Sequence, residues 1–370
     1  MPSERKSGRK GLWARLAALP DALEGISKRL ERIETRLQEA EYPARTTAMP
    51  PDAARLPPPG VSPGEIYAGY SEADMWIFDR FSHAAPEPAP GFVTDWLGTR
   101  TRCTSLWEWA RENDGKVTPL PVPHDLYEAV EWIGTLKSVI AAPGPRFTMM
   151  ELGAGFGPWL GAGAQAARLL GLKEIFLLGV EADPGRYEMM RQHLVDNSLD
   201  PEEHDLVCGA VGVEAGQARW PHIGNPADAT GARPVTESEA GIDAADMAYM
   251  QNTVQEHYID VTIFPFTELL RRQAFWDLVH IDVQGWETKI CRAGLEELNS
   301  RARWLNIGTH SRAIDGELIE LFHEAGWVLE HEKPTRFTYR PEQASIDLMT
   351  EVDGCQVWRN PKLASPLQAQ

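Results

Sequence analysis

The sequence of 370 residues predicts an α/β protein: a doubly wound, mostly parallel seven-stranded sheet, preceded by a helical cap and a short coiled coil. Three observations predict that class. Beyond Ala141, short apolar runs alternate with helical patterns. The first of those runs ends in three glycines at alternate positions. Ahead of Ala141 the periodic stretches are helical only.

From the N-terminus, Leu16, Leu19, Leu23, Ile26, Leu30, Ile33 and Leu37 repeat at alternating steps of 3 and 4, the spacing of a coiled coil. Pro20 suits a first helical turn and Pro43 ends the segment, so residues 1–41 read as a basic tail and one coiled-coil helix. Leu at a and Ile at d lean towards more than two strands. Arg29 at g can meet Glu34 at e of another copy, so a homo-oligomer is expected. Residues 42–64 are Pro-rich and aperiodic, a semi-rigid linker. Residues 65–145 form the cap: "SEADMWIFDRF" opens with a Ser71/Asp74 capping pair, and "DLYEAVEWIGTLKSVI" has an apolar helical face.

Residues 146–362 hold the sheet. Its expected strands are "FTMMELG", "EIFLLGVEA", "DLVCGAVG", "WDLVHIDV", "RWLNIGTH", "WVLEHEK" and "CQVWRN", with helices starting near Pro158, Pro184, Trp286 and Asp315. In such a sheet ligands sit at the carboxyl ends of the strands. The interval of about 213–262, polar and rich in Gly and Pro in its first half, reads as an insertion over that edge.

A net charge of −18 disfavours an extended nucleic acid partner, which needs neutralising Lys and Arg. No apolar run reaches the ~20 residues of a membrane span. The basic N-terminus can make at most a weak contact with an anionic membrane surface. Cys103, Cys208, Cys291 and Cys355 lie far apart, as free thiols would in a reducing cytoplasm, the compartment expected here.

The chemistry begins at "MELGAGFGPW". Neither G-x-G-x-x-G nor a phosphate loop is present; the pattern is E-x-G-x-G-x-G from Glu151 to Gly157. A carboxylate at Glu151 would repel a pyrophosphate and suits an ammonium group. Glu181, at the end of the second strand, is placed to accept ribose hydroxyls. Together they favour S-adenosyl-L-methionine over a dinucleotide. Farther on, Asp282 ends the strand in "WDLVHIDV" and His310 ends the next one, so both fall at the sheet's carboxyl edge. There a carboxylate or imidazole can act as base, align a hydroxyl or hold a cation. Glu287, in a first helical turn, can serve the helix dipole instead.

These pieces resemble the FkbM-type S-adenosylmethionine-dependent methyltransferases. The matching segments are "ELGAGFG", "VEADP", "CGAVG", "FTELL", "HIDVQGWE", "IGTHS" and "DGCQVWRN", in order over roughly residues 148–360. The resemblance implies a Rossmann-like class I methyltransferase fold and methyl transfer to a hydroxyl, commonly of a sugar or polyketide. It implies cofactor contacts from Glu151, Gly153, Ala154, Gly155, Phe156, Gly157, Glu181, Ala182, Asp183, Ala210, Val211 and Asp282. Three positions depart from the pattern: His280 where many relatives have Lys, Gln284 where Glu is common, and Gly308 in place of a frequent Glu. The base therefore stays open among Asp282, His280 and His310. "DLVHID" also resembles the strand end of metal-dependent catechol-type O-methyltransferases, which leaves a divalent metal on Asp282 and His310 as an alternative. The expected acceptor is a hydroxylated, sugar-containing molecule, in a pocket walled by the insertion and by Trp76, Trp107, Trp109 and Trp132. An inactive nucleotide-binding scaffold tethered by the coiled coil is the rival outside enzymes.

Overall fold

In chain order the strands of the two larger sheets are β1 (Arg146–Leu152), β2 (Glu174–Glu181), β3 (Asp205–Cys208), β4 (Ala210–Gly212), β5 (Gly216–Pro221), β6 (Tyr258–Pro265), β7 (Trp276–Ile281), β8 (Ala302–Thr309), β9 (Val328–Lys333) and β10 (Gly354–Arg359). Seven of them form one sheet in the order β9-β10-β8-β7-β1-β2-β3. All neighbours are parallel except β10, which runs against both β8 and β9. This computed structural model describes residues 68–106, 108–121, 128–222, 225–228, 231–235, 258–343 and 349–367. The expected coiled coil and linker lie outside the described residues.

Burial explains why these runs are strands. Every residue of β7 and β10, and all but the first of β1, is buried, as in a sheet covered on both faces. Helices α1 (Ala129–Ala141), α2 (Pro158–Leu169) and α3 (Pro184–Asp196) cover one face, around Phe147, Met149, Leu160, Leu177 and Leu278. On the other side α4 (Phe266–Leu270), α5 (Glu287–Ala293), α6 (Leu295–Arg301) and α7 (Arg312–Glu324) pack on Met150, Leu178, Val279 and Leu305. Helix starts follow local chemistry: Pro184 takes the first position of α3 while the Asp183 side chain accepts the Arg186 N–H, and Ser311 caps α7 through Ile314. The chain runs outward from β1 to β3, then returns to β7 on the other side of β1, and this reversal opens a crevice at the β1/β7 strand ends.

Several expectations change. "DLVCGAVG" is two strands in two sheets. At Gly209 the chain donates a last hydrogen bond to Glu181 O, 2.8 Å, and leaves; β4 then pairs with β6 in a separate three-stranded sheet, order β4-β6-β5. A Cβ on Gly209 would lie 2.6 Å from both Phe264 and Thr262 O, so the crossing needs glycine. The insertion is thus partly β-structure, because Ala218, Trp220 and Val261 bury together with Ala182 and Ala210. "SEADMWIFDRF" forms its Ser71/Asp74 capping box, yet consists of a 3₁₀ turn, Glu72–Asp74, and one α-turn, Trp76–Asp79. The cap also holds a short hairpin, Phe92–Thr94 against Arg100–Arg102. Helix α7 starts at Arg312, a turn before Asp315, because Ser311 caps it. Among the described residues no helix is long and apolar enough to cross a membrane.

Candidate functional site

The crevice is a cavity of about 730 Å³. Its floor is the glycine turn, where Gly153, Gly155 and Gly157 all have left-handed backbone, φ 71°, 57° and 76°. Gly153 and Ala154 both donate to Val180 O, at 3.0 and 2.9 Å, which pins the turn against β2. A Cβ on Gly153 would come within 1.8 Å of Asp282 O, so the turn lies directly on the end of β7. Backbone is thereby exposed where a side chain would otherwise fill the crevice.

Two buried carboxylates flank this turn. Glu151 Oε2 accepts from Leu160 N, 2.8 Å, in the first turn of α2. Burial pushes its carboxyl up to about 8, outweighing the opposing pull of His280 and of the Leu160 and Trp159 N–H groups. Glu181 accepts Gly155 N on one oxygen and Asp183 N on the other, both at 2.7 Å. Burial raises it to about 7 against those N–H groups and the charge of Arg186. Each oxygen keeps a lone pair for a ligand.

With carboxyls raised in this way, the folded state binds more protons than the unfolded state between about pH 4.5 and about pH 8. Their stabilisation is complete below the ordinary carboxylate range, about 4.5, and is lost as pH rises through about 7 and about 8. The melting temperature of the unliganded protein should therefore fall from pH 6.5 to 8.5, and Glu151→Gln should flatten the slope. Thermal scans across that range check this, and a flat or rising wild-type profile would contradict it.

Across the crevice, Asp282, His310 and Glu287 form a chain. His310 Nε2 lies 3.2 Å from Asp282 Oδ1, and its Nδ1 lies 2.9 Å from Glu287 Oε1. Glu287 is fully buried and also accepts the N–H groups of Val283 and Gly285, each at 3.1 Å. Burial alone would lower the imidazole, but the charges of Glu287 and Asp282 and its bonds to them hold it well above its usual value. For Asp282, burial would raise the carboxyl; the His310 hydrogen bond and charge, His280 and Gln284 outweigh it, and the group stays below the ordinary range. The Asp282 side chain is 41% exposed, and these shifts favour its anion beside a protonated imidazole. His310, one of the three expected candidates for the base, thus has a carboxylate at each ring nitrogen, and Asp282 is the more exposed of the pair. Ligand atoms of Asp282, Glu287 and His310 lie within 4.8 Å of one another, a spacing that a divalent cation could use. Here, however, the carboxylates approach opposite edges of the ring and do not converge on one nitrogen.

His280 lies opposite Glu151 in the β7/β1 register, stacks on Trp159 at 5.5 Å, and stands 3.5 Å from Glu131 on α1. Burial would lower its pKa; the Glu131 and Glu151 carboxylates beside it raise it. Of the expected residues, Glu151, Gly153, Ala154, Gly155, Phe156, Glu181, Ala182, Ala210, Val211, His280, Asp282 and His310 line this one cavity. Gly157 and Asp183 do not. Gly157 precedes α2 with Met190 beneath it, and the Asp183 side chain is committed to capping α3. Trp132 lines the cavity in contact with Trp159, ring centroids 5.2 Å apart. Trp76 packs on the core instead, and Trp107 and the Trp109 side chain lie outside what is described.

Sequence reasoning missed Glu131, Trp159, Arg186, Trp220, Lys333 and Asp353 as wall residues. Arg186, one turn into α3, could have been found from its distance to Glu181. The others need the tertiary fold.

Strands β1 to β3 on one side, β7 and β8 on the other, and an antiparallel β10 inserted before β9 define the architecture. This is the Rossmann-like fold of class I methyltransferases. No family model matches the chain. The chain is 28% identical over 283 residues, 75% of its length and 96% of the relative's, to a protein of Jannaschia sp. (strain CCS1) named "Putative methyltransferase". Among solved structures it is similar to methyltransferase FkbM from Methylobacillus flagellatus KT, with 10% identity and a TM-score of 0.31, covering 57% of this chain and 44% of that one. Similarity to the human methyltransferase 10 domain containing protein is of the same order: 11% identity, TM-score 0.32, 68% of this chain and 92% of that one.

Proposed function

We propose that the protein is an S-adenosylmethionine-dependent O-methyltransferase of the FkbM type, acting on a hydroxyl of a sugar-containing acceptor. The observation that carries this reading is the pair of buried carboxylates on adjacent strand ends, Glu151 and Glu181, flanking a turn of three left-handed glycines over a single cavity.

The residues present fit that cofactor. Glu151 is placed for an ammonium group and Glu181 for ribose hydroxyls. Beyond Glu181 and Arg186 the wall includes apolar Ala182, Ala210, Val211 and Ala232, and Trp220 Nε1 is buried there with no hydrogen-bond partner among the described residues. An orphaned indole N–H in an apolar wall suits the edge of a purine. When bound, S-adenosylmethionine supplies an electrophilic methyl group on a sulfonium. The protein's part is to orient and to exclude water. Asp282, anionic and exposed to the cavity, accepts the hydrogen bond of the acceptor hydroxyl and aims its oxygen. His310, held as a cation by Glu287, fixes the Asp282 carboxylate in place. Glu151 ionises as it meets the ammonium, so binding releases a proton near neutral pH.

Titration calorimetry with S-adenosylmethionine and with NAD tests the cofactor. Binding of the first alone is expected, and tight NAD binding with no response to S-adenosylmethionine would sink the reading. Methyl-labelled cofactor, incubated with glycan, glycolipid, small-metabolite, protein and nucleic acid fractions, tests the acceptor. Label confined to protein or nucleic acid would overturn O-methylation of a sugar. A parallel incubation with chelator tests the cation: activity is expected to persist, and loss restored by magnesium would assign Asp282 and His310 to a metal instead.

A further inference from the structure

The acceptor side of the cavity holds a residue that neither the glycine turn nor the Asp282 chain accounts for. Strands β8 and β10 pair antiparallel with Thr309 opposite Gly354, so the same register sets His310 opposite Asp353, just past the ends of the ladder. On its other side β8 pairs parallel with β7, with Ile307 opposite Ile281, which sets Gly308 beside Asp282. Asp282, His310 and Asp353 therefore follow one another across three adjacent strand ends, and all three line the cavity. Strands lie ~4.8 Å apart, so the two carboxylate-bearing positions flank the imidazole at about two strand spacings.

Three features suit this row to a ligand. Asp353 is half-buried, and among the described residues its carboxylate makes no hydrogen bond or ion pair. Burial raises its carboxyl, with His310 and Lys333 pulling the other way and Asp282 adding to the rise. Gly308 puts bare backbone in the cavity wall beside Asp282, where a Cβ would stand 3.6 Å from Asp282 Cγ. The main chain beneath is firmly held, because Thr350 Oγ1 donates to His310 O, 2.8 Å. A fixed row with a carboxylate at each end, both lining the cavity, matches a ligand with neighbouring hydroxyl groups, each of which can donate to one of them.

We infer that Asp353 is a specificity-determining residue of the acceptor subsite, and that the acceptor is a polyol presenting two adjacent hydroxyls, one to Asp282 and its neighbour to Asp353. The inference rests on the methyltransferase reading for which hydroxyl is methylated, but the binding step can be tested apart from it. Asp282 aligns the hydroxyl that receives the methyl group, and Asp353 holds the adjacent one, so that only one face of the diol is presented.

The experiment is saturation-transfer NMR on the full chain in chelator, with S-adenosylhomocysteine present, comparing cis-1,2-cyclohexanediol with cyclohexanol as probes. The diol should show several-fold stronger saturation than the mono-alcohol in the wild type, and Asp353→Asn should remove that difference. Calorimetry with S-adenosylmethionine, run on both proteins, should give the same affinity, which shows that the variant is folded. Equal saturation by the two probes in the wild type would overturn the inference, as would a diol preference that survives Asp353→Asn. Absence of S-adenosylmethionine binding to the wild type would count against the methyltransferase reading instead, and so the two failures are distinguishable.

Discussion

Gly153→Ala is expected to abolish measurable cofactor binding and to lower stability by roughly 2–6 kcal/mol, the sum of a left-handed non-glycine residue and an overpacked contact. Both causes act at one atom. The added Cβ would stand 1.8 Å from Asp282 O while the backbone keeps φ 71°. Asp282 O cannot simply retreat, because Asp282 N is bonded to Leu152 O at 2.9 Å, and β7 is buried along its whole length. The turn would have to lift, breaking the Gly153 and Ala154 bonds to Val180 O and carrying Gly155 away from Glu181. Chemical denaturation and calorimetry check both halves. A variant of wild-type stability that still binds S-adenosylmethionine would refute the account of the turn. Gly171→Ala is a suitable control, since that glycine also has positive φ, 79°, but a Cβ there would meet nothing.

Asp282→Asn should slow methyl transfer on the order of 100- to 1,000-fold, as does the loss of one positioned polar group at a reacting centre. S-adenosylmethionine affinity should be nearly unchanged, because Glu151, Glu181 and the glycine turn are untouched. The substitution keeps the shape and removes the charge. His310 then has one carboxylate neighbour instead of two, and the acceptor hydroxyl has a weaker hydrogen-bond acceptor. Single-turnover kinetics with labelled cofactor, beside calorimetry, separate the two effects. Full activity in the variant would remove Asp282 from the reaction, and a matching loss of cofactor affinity would make it a binding residue.

The glycine-turn half of the site is legible in the sequence because it is local. Glu151 and its three glycines fall within seven residues, and Glu181 ends the next strand, so one strand-turn-helix pattern places them together. Asp282 and His310 are legible for the same reason, each ending an apolar run whose length sets the sheet edge. Their protonation is not legible: it depends on Glu287, which reads from sequence as a helix-dipole residue and in the fold reaches back to the His310 ring. Asp353 is hidden more deeply. It precedes its strand instead of following it, and only the reversed direction of β10 brings a residue at that position to the ligand edge. The break at Gly209 is equally invisible, since "DLVCGAVG" is continuous in hydropathy and is divided by the approach of Phe264, a residue 55 positions away.

The departure of the chain from the main sheet at Gly209 divides the labour of the molecule along its length. In the proposed reading, groups suited to the cofactor come from Glu151 to Val211 and from the insertion that follows, through Trp220 and Ala232, and those suited to the acceptor come from a later stretch, His280 to Asp353. On the proposed function, the second stretch, and with it the choice of acceptor, can change while the first keeps its fit to the same methyl donor.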